Sequence, residues 1–476
     1  MRTEMGIIGV IQLRDSPLSW ETMRYVSNDY KQHEILKSKG IDILILDHHK
    51  SKKYSKNAIV INNQLSRNIK NKSMTGVGVV YKFCKYIDSL LGVNLADNYL
   101  DLVSTGLIGD HADLRDFETR YLVLKGLKLI ENKINKNKLI SAIYKDKSFS
   151  MCNKVTIEGV AWYMCPSVNC IIRGGSNEDL NDLFKAFVNS NETRIDKIRG
   201  RGEVEMSIQE YMIRRYGKLK RIQDKEVKNS VNDLSEQIEY YKLNTKEIMV
   251  IDGRNINNNT YNRVVINKLC DKYKKHAILL THVKNKDGVL GGSASGYRNK
   301  EITNLRQWCL DSNLFNFALG HNMAFGTQIN KLNVQRLYNL IDTIPSDDIL
   351  TYVVDSVYNE NTINDSIIKM VASLGDFWGN ELNEPIFAIE GITIPKENVS
   401  IMGKSKTTLK LKYNNIEIIK FKSSEDEYNE IVKNENNKFT IIGRFKVNTY
   451  NNFDYPQLIV DNYKFQPTTE TLPFRF

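Results

Sequence analysis

A CxxC pair, an apolar run of membrane-spanning length and a secretory leader are all missing from this sequence. The six cysteines, Cys84, Cys152, Cys165, Cys170, Cys270 and Cys309, therefore read as reduced, buried thiols of a cytosolic protein rather than as a disulfide framework. Cys165 and Cys170 lie closest together, but a zinc site there lacks a second ligand pair. The apolar burst Gly6 to Ile11 is too short for a signal peptide or a membrane span, and no later segment is long and apolar enough. Histidine is scarce as well, with 7 in 476 residues, so any place where two of them meet carries information.

Two meet at the end of Ile41-Asp-Ile-Leu-Ile-Leu-Asp47-His48-His49. An apolar run of strand length stops in one carboxylate and two imidazoles, which are costly to bury unpaired but are good hard-to-borderline metal ligands. Upstream, Asp29 to Lys39 is predicted as a helix, with Ser27 and Asn28 suited to its N-cap and Gly40 to its stop. Helix, tight turn and buried strand make a βαβ fragment, and in such sheets ligands gather at the carboxyl ends of strands.

With 41% hydrophobic and 26% charged residues the chain has an ordinary soluble composition, long enough for two to four domains. Its net charge, 67 − 56 = +11, favours a polyanionic partner. Strand and helix patterns alternate from about 27 to 190. Ala58 to Ile61 is a second strand, a helix opens at Thr75 and stops at Gly92, and a helical stretch from Ala96 to Ile108 delivers Gly109-Asp110-His111. Arg194 to Lys228 holds eleven Lys/Arg against six Asp/Glu and reads as a long helical connector. It either faces an anion or is a solvated helix laced by i,i+4 ion pairs. A second α/β part starts near Glu247, with strands Ile248–Ile251 and Ala277–Leu280 around a helix from Tyr261 to Tyr273. Gly291 to Gly296 and Leu319 to Gly326 read as small-residue loops, able to approach a phosphate or to form ligand-free tight turns. From about 385 the pattern turns to β, at 407–413, 416–422, 439–445 and 457–460, with turns at Asn414-Asn415, 434–437 and Asn451-Asn452. This suits a small Greek-key barrel of the OB type. Lys404, Lys406, Lys410, Lys412, Arg444 and Lys446, mixed with Tyr413, Phe445, Tyr450 and Phe453, give the basic-plus-aromatic blend of single-strand binders; a structural barrel with a solvated basic face is the alternative.

In this order the motifs resemble the RecJ branch of the DHH phosphoesterase superfamily, in particular phage and prophage RecJ-like single-strand-specific exonucleases. Asp47-His48-His49 is the name-giving run. Gly76-Val-Gly-Val-Val-Tyr-Lys82 is similar to the glycine helix that follows it. Leu107-Ile-Gly-Asp110 is similar to the late metal-binding Asp, and Pro166-Ser-Val-Asn169 with Arg173 to a Pro-Arg-Ile-Asn…Arg segment. Gly320-His321-Asn-Met-Ala324-Phe-Gly326 resembles the Gly-Gly-His-x-x-Ala-x-Gly signature of the DHH-associated domain. Phe377-Trp-Gly-Asn380 to Glu384-Pro385 resembles the lead-in to the RecJ OB domain. The implied fold is α/β: two α/β lobes, a DHH domain at 27–190 and a DHH-associated domain at 241–345, joined by a basic connector helix at 191–240. An OB-type β-barrel follows within 346–476, and 1–26 is a divergent start.

The resemblance implies hydrolysis of single-stranded DNA from its 5′ end, in recombination, repair or replication, with two divalent cations, manganese or magnesium. It implies His48 and Asp110 as ligands of one ion, with Asp47 orienting its neighbour or sharing in binding. His49, Arg173, Asn169, Ser293, Arg298, Gly320 and His321 would face the substrate. It further implies a cytoplasmic protein, in the bacterial host if phage-encoded, without a membrane partner.

The sequence departs from that pattern in three places. The Asp-x-Asp segment that supplies first-metal ligands is absent, and Asp15 is a poor substitute. The bridging Asp falls near Arg24, which leaves Asp29 as a weak candidate. The Gly-Ser-x-Arg loop reads Gly292-Ser293-Ala294-Ser295, with Arg298 three residues on. The expectation is therefore one cation or none, and a truncated or rearranged exonuclease. The alternatives are a missing lobe supplied by a second chain, a catalytically silent factor that binds single-stranded DNA beside a replication or single-strand-binding protein, and a small-nucleotide or oligonucleotide phosphoesterase.

Overall fold

Three separate apolar patterns build the molecule, and each closes its own sheet. The computed structural model of the chain describes residues 9–12, 27–51, 53–256, 259–297, 301–346, 352–450 and 453–468. Asp15, Arg24, Arg298 and the turn at Asn451-Asn452 lie outside these residues. The described chain divides into two compact units. One takes Asn137–Asp146 and Cys165–Tyr352; the other takes the described residues up to Lys136, then Lys147–Met164, then those from Val353 onward.

The first sheet has order β1 (Gly9–Gln12), β2 (Ile43–Asp47), β3 (Ile59–Asn62). β2 runs parallel to β3, and β1 runs antiparallel to β2. Ile43, Ile45 and Leu46 of β2 are buried. Asp29 is the N-cap of that helix, where Ser27 or Asn28 was expected, and Ser27 is instead spent on Asp47. Gly40 takes φ +74° just past the helix, as a stop requires.

Beside this sheet the helix Gly76–Leu91 ends at left-handed Gly92, as the sequence predicts. It packs on the helix Leu100–Gly109, which in turn packs on Phe117–Glu131. Glycines set these approaches. A Cβ on Gly106 would stand 2.5 Å from Val77 Cγ1, and one on Gly126 would stand 2.0 Å from the Leu100 carbonyl oxygen and 2.4 Å from Ser104 Oγ. The Leu100–Gly109 helix, whose end presents Asp110, is thus held between two neighbours at backbone contact distance.

In the other unit the basic segment after Asn191 does not begin as a helix. Its first part is a hairpin of β4 (Thr193–Ile198) and β5 (Gly202–Ser207), with Gly200 and Gly202 both at positive φ. Only then does the helix Ile208–Tyr240 start, closed by a reciprocal cap between Ser207 and Glu210. Arg194 pairs with Asp182, Arg214 and Lys218 with Asp196, Arg215 with Asp179, and Lys220 with Asp224. Of the two readings of this basic segment, ion pairing accounts for these residues: Lys220 pairs within the helix, and the others fasten the hairpin and helix to their neighbours. Val227, Leu234 and Ile238 of the long helix join a core with Met249, Ile251, Val265 and Leu269.

That core lies under a five-stranded sheet of order β6-β7-β8-β10-β9: β6 (Ile248–Asp252), β7 (His276–Val283), β8 (Lys286–Ser295), β9 (Phe315–His321) and β10 (Ala324–Asn330). Both glycine-rich stretches expected as loops are strands here: 291–295 belongs to β8, and 319–326 is the β9–β10 hairpin. Glycine serves close packing. A Cβ on Gly292 would meet Thr327 Cγ2 at 2.7 Å, and Gly320, at φ +137°, lies where a Cβ would be 2.8 Å from the Ala324 carbonyl oxygen.

The C-terminal part is a seven-stranded sheet of order β11-β12-β16-β17-β15-β14-β13. The strands are β11 (Ser356–Asn359), β12 (Phe387–Pro395), β13 (Val399–Met402), β14 (Thr408–Tyr413), β15 (Ile416–Phe421), β16 (Asn436–Tyr450) and β17 (Phe453–Pro467). Among the described residues the strands pair in this open order. The register shifts after Glu390 and after Ile442, beside Gly391 (φ +71°) and Gly443; such bulges bend long strands. Phe439, Phe445, Ile418 and Leu458 lie in its buried core, so Phe445 is a core residue and not an exposed ring. The turn expected at 434–437 is shorter, because Asn437 is fully buried and its Nδ2 donates to the Ile431 carbonyl, capping the Glu425–Ile431 helix. Two thiols depart from the expected burial: Cys84 and Cys152 are exposed.

Replacing Gly126 by Ala should destabilise the fold by about 1–3 kcal/mol, the cost of overpacking. Thermal or urea unfolding followed by circular dichroism measures this, and an unchanged midpoint would refute the contact.

Candidate metal centre

Asp47 is the last residue of β2 and is fully buried, and its carboxylate is held by four donors of the protein itself. Oδ1 accepts from the backbone N–H of His48 (2.7 Å), the backbone N–H of His49 (3.1 Å) and Nδ1 of His49 (2.7 Å). Oδ2 accepts from the backbone N–H of Ser27 at 2.9 Å. Burial pushes the Asp47 pKa up, but the hydrogen bonds from His49 and Ser27 outweigh it, and the carboxyl sits well below the usual carboxylate range.

The strand pairing supports this arrangement. Asn62 stands opposite Asp47 in the β2–β3 register. Its Nδ2 donates to Ser27 Oγ (3.0 Å) and to the His49 carbonyl (2.9 Å), while its Oδ1 accepts from Gln64 N. Next to it, Asn63 Nδ2 donates to the Met74 carbonyl at 2.9 Å, tying the strand end to the start of the glycine helix. Sequence reasoning missed Ser27 and Asn62. The available signal was two adjacent asparagines closing an apolar strand.

With Asp47 so engaged, the two histidines are held in place and differ in character. Their rings lie 4.6 Å apart at 48°. Burial first, and the neighbouring His49 second, push the His48 pKa down to about 4, which keeps it neutral and able to donate a lone pair. His49 goes the other way: the hydrogen bond to Asp47 raises its pKa against burial, with the charges of Asp47, Asp110 and Asp29 adding.

Asp110 caps the Leu100–Gly109 helix and brings its Oδ2 to 3.3 Å from His48 Nε2; both side chains are less than one-fifth exposed. Two donors on one octahedral ion with bonds of about 2.1 Å stand roughly 3.0 Å apart, so this pair fits a divalent cation. Single ligand atoms of Asp47, His48 and His49 also all lie within 4.8 Å of one another. The residues thus fit a cation held by His48 and Asp110, with Asp47 orienting both histidines.

The other expected site residues lie in the second unit. Asn169 and Arg173 stand four apart on the helix Cys165–Gly174 and share a face, both half-buried. Ser293 is half-buried in β8, opposite Leu279 and Gly326. Gly320 and His321 are exposed at the tip of the β9–β10 hairpin. Arg298 falls outside the described residues. Asp29, at the cap of the Tyr30–Ser38 helix, belongs to the electrostatic surroundings of His49.

An Asp-His-His cluster stands at a strand end with a carboxylate at a neighbouring helix end, and the chain also carries a second α/β part and a C-terminal β sheet, the order of parts that the RecJ-like resemblance implies. Residues 354–462 match the RecJ OB domain family. The chain is 34% identical over 440 residues to YorK of Bacillus subtilis (strain 168), named as an SPbeta prophage-derived single-strand DNA-specific exonuclease. The match covers 91% of this chain and 75% of that protein. The same extent of identity holds for the YorK protein of Bacillus phage SPbeta. The chain belongs to the RecJ-like single-strand DNA-specific exonuclease family. Its fold is similar to crystal structures of RecJ from Thermus thermophilus in complex with Mn2+ (TM-score 0.69, 14% identity, 92% of this chain) and with Mg2+ (0.64, 15%, 89%). The chain covers 60% of the length of each of those proteins.

In a histidine NMR titration of the metal-free protein, His48 should titrate near 4 and His49 above the ordinary histidine value of roughly 6.5. Asp47→Asn should bring His49 back down. For stability, the raised His49 pKa contributes fully below about 6.5 and is lost as pH rises through its folded value. The lowered Asp47 pKa contributes above about 3.9 and is lost as pH falls. The deficit of Asp47→Asn should therefore be largest between those limits, and a deficit that does not vary with pH would refute the pairing.

Proposed function

We propose that the chain hydrolyses phosphodiesters at the 5′ end of single-stranded DNA, using a divalent cation, manganese or magnesium, held by His48 and Asp110. The observation that carries this reading is the 3.3 Å approach of His48 Nε2 to Asp110 Oδ2 while Asp47 is held by the protein's own donors. A cation there would lower the pKa of a water molecule and offset charge on the phosphate. Asp47 fixes the ring of His49 through Nδ1, which leaves Nε2 of a readily protonated imidazole to donate to a phosphate oxygen. Asn169, Arg173, Ser293, Gly320, His321 and Arg298 keep their assignment to the substrate on the resemblance alone.

The C-terminal sheet is assigned to holding the strand. Tyr450, Phe453 and Tyr455 are exposed. A cleft of about 390 Å3 has Lys412, Phe453 and Tyr455 in its lining, together with the acidic Asp365, Glu417 and Asp454. Charge is less available here than the sequence implies. Lys406 pairs with Glu425, Lys410 with Glu417, Arg444 with Asp461, and Lys446 with Glu158 and Glu384. Lys404 and Lys412 form no ion pair among the described residues, and Lys412 borders the cleft. Among the described residues no helix is long and apolar enough to cross a membrane.

A second reading, a single-strand-binding factor without hydrolysis, draws on one observation. Among the described residues, Asp110 and Asp29 are the carboxylates besides the heavily hydrogen-bonded Asp47 whose charge acts on His49. Activity separates the two. On 5′-phosphorylated single strands with manganese, the first reading expects nucleotide release that falls at least a hundredfold in His48→Ala and in Asp110→Ala and stops with a chelator. Binding without release in the unmodified chain would establish the second.

Single-strand affinity should not depend on hydrolysis. Phe453→Ala should weaken binding about tenfold, within the range for losing one stacked base. Lys412→Ala should lower the slope of log affinity against log salt by roughly 0.7. Duplex DNA binding as tightly as a single strand would refute the assignment of the cleft.

A further inference from the structure

Asp110 owes its place to more than its own helix. The helix ends at Gly109, and the chain turns through His111, which has φ +55°. The turn Asp110–Leu114 is gripped by a short strap from the other end of the sequence. Asn380 Nδ2 donates to the His111 carbonyl at 2.6 Å and to the Ala112 carbonyl at 3.4 Å, while the Asn380 carbonyl accepts from Leu114 N at 3.1 Å. The strap is folded on itself by a bridge between Gly379 and Leu382, with Glu381 at φ +61°. It lies flush on the turn: a Cβ on Gly379 would stand 2.3 Å from Leu114 Cδ1 and 3.0 Å from Ile157 Cγ2. Leu114 and Ala112 are buried, so the turn has little room to shift. Arg115, just beyond, lies 3.7 Å from Glu381.

We infer that Asn380 is a positioning residue for the cation site: by holding the His111 and Ala112 carbonyls it sets the Asp110 carboxylate against His48. This rests on the reading that His48 and Asp110 hold the cation. Asn380 does not itself point at the ion. Its amide donors are both spent on the two carbonyls that follow Asp110, and its backbone carbonyl on Leu114. Loss of the amide donor leaves those two carbonyls without it; the packed turn keeps its place, but the Asp110 carboxylate loses its fine setting against His48.

The test titrates the full chain with Mn2+, following free ion by electron paramagnetic resonance. Asn380→Asp keeps the size of the side chain but replaces the donor with an oxygen that repels the two carbonyls. Its Mn2+ dissociation constant should rise about 10- to 100-fold, the usual effect of removing a partner behind a ligand. Single-strand affinity in chelator should stay unchanged, because the cleft near Phe453 is untouched. Where hydrolysis is measurable, kcat should fall with KM constant, and excess Mn2+ should restore it. If Asn380→Asp does not fold, Asn380→Ser, which keeps a hydroxyl donor on a shorter side chain, is judged by the same titration. A folded Asn380 variant with unchanged Mn2+ affinity overturns the inference, provided His48→Ala and Asp110→Ala abolish binding. If those two variants bind Mn2+ as the unmodified chain does, the underlying site assignment fails instead.

Discussion

The site depends on one buried carboxylate held from four directions. Asp47 ends an apolar strand where an unpaired charge would be prohibitive, and it is tolerated there because four donors converge on it: three backbone N–H groups and one imidazole. Those bonds set the direction of the chain after β2, the ring of His49 and the position of Ser27. Without them two histidines at a strand end would be loose surface groups. With them His49 is drawn towards its charged form, while burial and the neighbouring His49 keep His48 neutral against the pull of Asp47. The difference between His48 and His49 thus joins burial of one ring to a carboxylate bonded to the other.

The second constraint is packing. Asp110 reaches His48 because the Leu100–Gly109 helix lies at backbone distance from its neighbours, at Gly106 on one side and against Gly126 on the other. Its last turn is then pinned by Asn380, 270 residues later in the chain. The ligand pair is assembled from a strand end, a helix end and a distant strap, so its geometry is a property of the whole compact unit and not of any local motif.

Much of this was legible in the sequence where local chemistry decides the outcome. The Ile41–His49 run, the Thr75–Gly92 helix and the late β pattern declared themselves because strand hydrophobicity, a capping glycine and alternating burial are local signals. The pairing of His48 with Asp110 came from motif resemblance, and the structure brings the two together. What stayed hidden depends on partners far away. The glycines at 291–296 and 319–326 look like loops in sequence, but their lack of side chains serves strand contact with Thr327 and Phe325. The basic segment looks like one helix, yet Gly200 and Gly202 turn its first part into a hairpin whose arginine and whose Asp196 find partners outside it. Phe445 reads as a stacking ring until the bend at Gly443 and the surrounding sheet bury it. Asn62 and Asn380 are single polar residues whose importance appears only with their hydrogen bonds.

The carboxylates that accompany the basic residues of β16 have a consequence of their own. Arg444 and Lys446 already rest against Asp461, Glu158 and Glu384, so an arriving phosphate would not meet a bare cation with a cloud of small counterions. It would have to exchange with side chains that are covalently part of the protein and return the moment it leaves. Such a surface works as an ion exchanger with a fixed, internal counter-charge: single anions gain little by entering, whereas a polymer that presents several phosphates in register displaces several carboxylates together. Selection for a chain over a monomer can then arise from the balance of charge along one strand, without a pocket shaped for any particular base.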